Sequence, residues 1–165
     1  MGSPETITGF PLAMARRPPS PETLADAERG VKSVYADLDA RPVERDCIRR
    51  TECCRFKLTG KMPMVTRGEA LVLARAWRAA GRSQVEPRPD GVCPVLDEAT
   101  GSCRAYAARP LSCRTHFCDA AGGPYRRKEV IDLVHRIEAI DATLGSDGPL
   151  ALPIALAAAL RRMPK

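Results

Sequence analysis

Aromatic residues are scarce in this chain of 165 residues, with one Trp, three Tyr and three Phe. Ala, Leu, Val and Ile must therefore supply most of the packing, which favours helices. No apolar run approaches the roughly 20 residues needed to cross a bilayer. The opening Met1-Gly2-Ser3-Pro4-Glu5-Thr6 lacks the basic-then-apolar order of a secretory signal. Gly2 with Thr6 satisfies only the bare myristoylation pattern, without a nearby basic or second lipid signal, and is set aside. These absences argue against a membrane protein and place the expectation in the cytoplasm. No C-x-x-C occurs, which weakens a zinc ribbon built from two paired-cysteine knuckles. No glycine-rich motif follows a strand-like run.

What the chain does have is cysteine: Cys47, the adjacent Cys53 and Cys54, Cys93, Cys103, Cys113 and Cys118. Seven is an odd number, and clustered thiols in a reducing compartment serve metals or catalysis more often than disulfides. Thiolates are soft, strongly donating ligands that select zinc, iron–sulfur clusters or cuprous copper over hard cations. Adjacent cysteines project in different directions, so Cys53 and Cys54 suit two metal ions of one centre better than one shared ion. Seven thiols also exceed the four that a single zinc takes. Either the centre is polynuclear, or some of the seven are small buried hydrophobes.

The formal charge of +6 and a pI near 9.1 invite a nucleic-acid reading. The cations are spread along the chain, however, and stacking aromatics are few, so nucleic acid is not the expected partner. Many cations flank cysteines: Arg49, Arg50 and Arg55 in the first group, Arg104 beside Cys103, Arg109 and Arg114 around Cys113. Placed there they would depress thiol pKa values and offset a polythiolate site. A solvated basic surface is the alternative.

At this length one domain is expected. Residues 1–19, with four prolines and little periodicity, read as a flexible arm, and residues 20–165 as a single domain. Ser20-Pro21 caps a first helix to about Asp39, with Leu24, Ala27, Val31, Val34, Tyr35 and Leu38 on one face. Thr66 and Glu69 form a capping box for a second helix, with Leu71, Leu73, Ala74, Trp77 and Ala80 inward and Gly81 as its stop. Residues 82–92 form a loop. Short strands are expected at 92–96 and 103–106, around a turn at Thr100-Gly101. A third helix covers 125–144 with Gly145 as its stop, and a last one begins near Pro153 and covers 154–162. The fold class is mainly α, with a small α+β arrangement as its variant, the helices packing around an irregular cysteine-rich metal-binding centre.

Cys53-Cys54, then Cys93-Pro94-Val95-Leu96, then the run from Cys103-Arg104 through Tyr106 and Arg109-Pro110 to Cys113-Arg114, then Phe117-Cys118, follow one another in a specific order. Over about 47–118 this closely resembles the YkgJ-type cysteine-cluster family, the zinc- or iron-chelating domain related to flagellin lysine N-methylase. The resemblance implies chelation of zinc or iron on Cys47, Cys53, Cys54, Cys93, Cys103, Cys113 and Cys118; an iron–sulfur cluster is preferred to zinc because seven thiolates suit a polynuclear centre. Its methylase relatives imply an alternative, a part in S-adenosylmethionine-dependent protein methylation; a zinc-stabilised interaction or nucleic-acid-binding module is a third. Whether the chain is an enzyme stays open, as do a protein partner and the oligomeric state. The family's first group commonly reads C-x-x-C-x-x-C-C, and here Arg50 stands at its second cysteine. His116 is either a substitute ligand or a hydrogen-bonding or surface histidine, while His135, between buried positions of the third helix, is read as structural. Arg109 points either to an acid or to the centre, and Tyr106 either covers the centre or fills core.

Overall fold

The computed structural model describes residues 18–42, 45–86 and 88–164. Most of the arm expected at the N-terminus lies outside them. Four longer helices form the frame: α1 (Pro21–Asp39), α3 (Arg67–Ala79), α5 (Arg127–Thr143) and α6 (Leu152–Arg162). Two single-turn helices, α2 (Phe56–Thr59) and α4 (Leu111–Arg114), lie in the cysteine-bearing segments. Among the described residues β-structure is confined to two small antiparallel ladders. One pairs β1 (Met64–Val65) with β4 (Leu150–Ala151), and the other pairs β2 (Leu96–Asp97) with β3 (Ser102–Cys103). The fold is mainly α, as its composition indicates.

The helix starts follow from local chemistry. Ser20 accepts the Thr23 amide at 3.1 Å and Pro21 occupies the first turn of α1, where a missing N–H costs nothing. Thr66 caps α3 with a complete capping box to Glu69, and Gly81 at φ +77° takes the left-handed position after it. Helix α5 starts at Arg127 rather than 125, because the Tyr125 amide bonds the Thr115 carbonyl at 2.9 Å and holds that residue against the end of α4.

Helix α3 is the centre of the frame, packed on α1, α5 and α6, while α1 also packs on α5. Its apolar arc is correspondingly broad. Val72 is buried beside Leu73, Ala74 and Trp77, whereas the expected Leu71 is only half-buried and Ala80 is exposed at the helix end. A one-face pattern describes a helix covered on one side and misses positions on a helix flanked by three others. Leu24 of α1 is likewise only half-buried, near the start of its helix. Helices α1 and α5 come close at Gly30, where a Cβ would stand 2.9 Å from the Ile140 Cδ1 atom and the end of that side chain would have to shift. Leu73, Leu133, Leu156, Val31 and Val34 are fully enclosed, each such side chain contributing about 1.5–3 kcal/mol by leaving water.

The strands are displaced from the expected 92–96 and 103–106. Val92 bridges Arg55 instead, and the chain after Ala105 tightens into a 3₁₀ turn, so pairing is left to Leu96–Asp97 and Ser102–Cys103. His135 is exposed on the outer face of α5 and has no place in the core. Among the described residues no helix is long and apolar enough to cross a membrane.

Candidate metal centre

Four segments deliver the cysteines. The first turns through two non-glycine residues in left-handed geometry, Arg49 (φ 59°) and Thr51 (φ 64°), directly before the 3₁₀ turn Glu52–Cys54. Each such residue stores on the order of 1–3 kcal/mol of strain and persists only where its surroundings enforce it. Here the enforcement is cross-chain: the Cys54 carbonyl accepts the Cys93 amide at 2.7 Å, and the Phe56 amide bonds the Gly91 carbonyl at 2.9 Å. Cys103 lies on β3, opposite Leu96.

Cys113 is placed by α4, which is pinned from three sides. The Leu111 amide donates to Glu69 Oε1 at 2.7 Å, and Ser112 Oγ donates to the Met64 carbonyl at 3.1 Å. Arg114, nearly enclosed, donates to the Arg109 and Ala107 carbonyls, pairs with Asp39 at 3.2 Å, and stacks 4.1 Å over the Tyr35 ring. Glu69 is 2 % exposed. Its second oxygen accepts the Thr66 amide and hydroxyl at 3.0 and 2.8 Å, so one buried carboxylate ties the start of α3 to the cysteine-bearing α4. Burial outweighs these donors and raises the Glu69 pKa above its ordinary value. Sequence reasoning found Glu69 only as a helix cap; its bond to Leu111 spans 42 residues and has no local signature.

Six of the seven cysteines, Cys47, Cys53, Cys54, Cys93, Cys103 and Cys113, line one cavity of about 670 Å3, together with His116. Cys118 does not reach it. That thiol lines an adjoining hollow of about 30 Å3 shared with Cys47, Cys53 and His116. All seven thiols are free. Cys53 and Cys54 have their sulfurs 3.9 Å apart. Among the described residues no three His, Cys, Asp or Glu side chains converge closely enough to hold a metal ion as they stand.

The thiol electrostatics are those of an anion site short of positive charge. The hydrogen bond from Cys54, helped by Arg109, brings Cys53 down to about 7. Cys54, its partner in that 3.9 Å contact and itself partly buried, is shifted upward. Burial pushes Cys93 up to about 12 and raises Cys103 and Cys113, with neighbouring thiolates adding to each. Several of these thiols ionise together only when a cation sits among them.

The flanking arginines do not form the cationic collar that their spacing suggests. Arg50 pairs with Glu52 at 2.8 Å, Arg104 with Asp97 at 3.1 Å, Arg55 with Glu98 at 3.8 Å and Arg114 with Asp39. Of the six, Arg49 and Arg109 line the main cavity. Among the described residues Arg109 meets neither an acid nor a thiol directly: it stacks 3.7 Å over the Tyr106 ring, half-exposed at the cavity wall, and bonds the Tyr106 carbonyl at 3.2 Å. From there its charge lowers Cys53, Cys103 and Cys113 against the effect of burial.

The CxxCxxCC family model, described as "Putative zinc- or iron-chelating domain", matches residues 46–132, just over half of the chain. The chain belongs to this family. No curated protein and no solved structure matches it. The family's naming pattern falls on 47–54, where this member reads Cys-Ile-Arg-Arg-Thr-Glu-Cys-Cys and so carries Arg50 at the second cysteine. The Arg50 side chain is exposed and turned onto Glu52. It supplies no donor in place of that thiol.

Proposed function

We propose that this protein holds a polynuclear metal centre, an iron–sulfur cluster in preference to zinc, on Cys47, Cys53, Cys54, Cys93, Cys103, Cys113 and Cys118. The observation that carries this reading is the lining of one cavity by six free thiols, with the seventh in the hollow that opens beside it. Six thiols around one cavity exceed the four that a single tetrahedral zinc ion takes, which favours a polynuclear group. The setting that fits such a centre is a reducing one, the cytoplasm, where clustered cysteines serve metals more often than disulfides. When bound, an iron–sulfur cluster supplies one-electron transfer, at a potential set by its hydrogen bonds and exposure. The protein's own contribution is a strained, cross-linked scaffold that holds thiols at fixed places and a stacked Arg109 that partly offsets their charge. No specific observation favours the methylation or nucleic-acid alternatives, and the pairing of Arg50, Arg55, Arg104 and Arg114 with carboxylates lessens the charge available to a nucleic acid.

The deciding experiment is metal and acid-labile sulfide content, with an absorption spectrum, on protein purified without oxygen and without added metal. Iron with matching sulfide is expected. Zinc without sulfide refutes the cluster and makes the domain a structural or interaction module.

A further inference from the structure

A hollow of about 590 Å3 lies where the end of α1 meets the 106–114 segment, and its charged wall is mostly arginine: Arg41, Arg45, Arg109 and Arg114 against Asp39 and Asp46. Two of the four are committed. Arg41 donates to Asp132 and the Glu129 carbonyl, and Arg114 to Asp39 and the Ala107 and Arg109 carbonyls. Arg45 and Arg109 each spend only the Nε group, on the Gly122 carbonyl at 3.3 Å and the Tyr106 carbonyl at 3.2 Å. Both guanidinium groups sit over tyrosine rings, 4.1 Å from the centre of Tyr125 and 3.7 Å from that of Tyr106. Their outer nitrogens make no hydrogen bond among the described residues, and Arg45 Nη1 is buried in that condition. A buried charged donor without an acceptor is costly, and one kept in the wall of a hollow leaves its acceptor to come from outside the chain. Asp46 is exposed and makes no ion pair among the described residues. With Arg41 offset by Asp132 and Arg114 by Asp39, Arg45 and Arg109 against Asp46 leave the hollow net positive.

We propose that this hollow binds the phosphoryl group of a small anionic ligand, held between the guanidinium groups of Arg45 and Arg109. Seating on the tyrosine rings restrains both side chains while leaving their outer nitrogens free to donate. A carboxylate has two oxygens, which one guanidinium fork can occupy; a phosphoryl group presents three and can use two forks. The site does not depend on the metal-centre reading, but it adjoins that centre. Tyr106, Arg109 and Asp46 line both the hollow and the thiol cavity, so an anion held on Arg109 stands at the wall they share.

The test is isothermal titration calorimetry on full-length, anaerobically purified protein in phosphate-free buffer, with inorganic phosphate, glycerol 3-phosphate and succinate as probes. Saturable one-to-one binding of the two phosphate probes is expected, with succinate weaker. An ester that binds more tightly than inorganic phosphate makes the ligand a phosphorylated small molecule, and equal binding makes it free phosphate; either supports the site. Arg45→Ala is expected to weaken phosphate binding by about tenfold to a hundredfold, and Arg45→Lys, which keeps the charge but not the fork, to weaken it less. Asp46→Asn should bind at least as tightly as wild type, and Arg161→Ala, an exposed arginine near the end of α6, should match it. No saturation by about 10 mM phosphate overturns the proposal. So does wild-type affinity in folded Arg45→Ala, which would send the phosphate elsewhere, including to the metal. A comparable loss in Arg161→Ala reduces the binding to general surface charge and overturns it too, and succinate binding as tight as phosphate overturns the phosphoryl assignment. Should Arg45→Ala fail to fold by circular dichroism, Arg45→Lys decides: an affinity equal to wild type overturns the two-fork site.

Discussion

Glu69→Gln tests whether one buried carboxylate positions the cysteine-bearing helix α4. The substitution preserves shape but turns one acceptor oxygen into an NH2 group. With its remaining oxygen toward Leu111 and Tyr35, the amide can donate to the Thr66 hydroxyl, which rotates to accept, but the largely buried Thr66 amide then faces another donor. One unsatisfied buried N–H costs about 1–3 kcal/mol. For a chain of this size that lowers the thermal midpoint by about 2–10 °C. Glu69→Ala strands both the Leu111 and Thr66 amides and adds a void, for about 3–5 kcal/mol. The pH dependence carries a definite sign. The folded-state pKa of Glu69 is raised, so the native state holds the proton more tightly than the unfolded chain; the stability this contributes is present at low pH and is lost as pH rises through the folded value. Glutamine does not titrate there, so the stability gap between wild type and Glu69→Gln should widen as pH falls from neutral toward the ordinary glutamate range. Circular-dichroism melts across that range measure it, with iodoacetamide labelling of Cys113 as a local probe that should quicken when α4 loosens. An unchanged midpoint with unchanged Cys113 labelling refutes the role assigned to Glu69.

Cys53→Ser, Cys93→Ser and Cys113→Ser are each expected to lose metal and thermal stability together, since metal binding and folding are coupled where a small core surrounds the centre; full metal content in all three would contradict the ligand set. Arg114→Lys keeps the charge but not the planar fork that reaches Asp39, the Ala107 and Arg109 carbonyls and the Tyr35 face, so urea denaturation should show a loss of about 2–4 kcal/mol, and a loss below the error of the fit would refute it. In metal-free protein at neutral pH, iodoacetamide should label Cys53 before Cys93, its rate rising with pH through about 7, because the thiolate is the nucleophile and, of these two, Cys53 has its pKa brought down while that of Cys93 is pushed up. In Cys54→Ala, which removes the donor to Cys53, that titration should move upward; mass spectrometry of the labelled peptides reads both.

Much of the helical frame could be read from the chain alone, because helix starts and stops are written in contacts three or four residues long. Ser20-Pro21, the Thr66–Glu69 box and the glycines at 81 and 145 act on their own turns, and the structure places helix ends within about two residues of them. Thiol chemistry was equally local: seven cysteines without a C-x-x-C, in an ordered set of short motifs, indicated a metal-binding family whatever the fold. The burial of α3 was less legible, since a pattern on one helix does not say how many neighbours will cover it. What only the tertiary structure decided is who meets whom. Cys54 bonds Cys93 across 39 residues, Glu69 holds Leu111 across 42, and Arg114 reaches Asp39 across 75. Such pairings are selected by the packing of the whole chain, so no window of sequence encodes them. That is why Arg55 and Arg114 meet Glu98 and Asp39 instead of the thiols, why Cys118 stands in a separate hollow, and why His116, an ambiguous residue in the sequence, lies at the junction of both cavities while His135 faces outward.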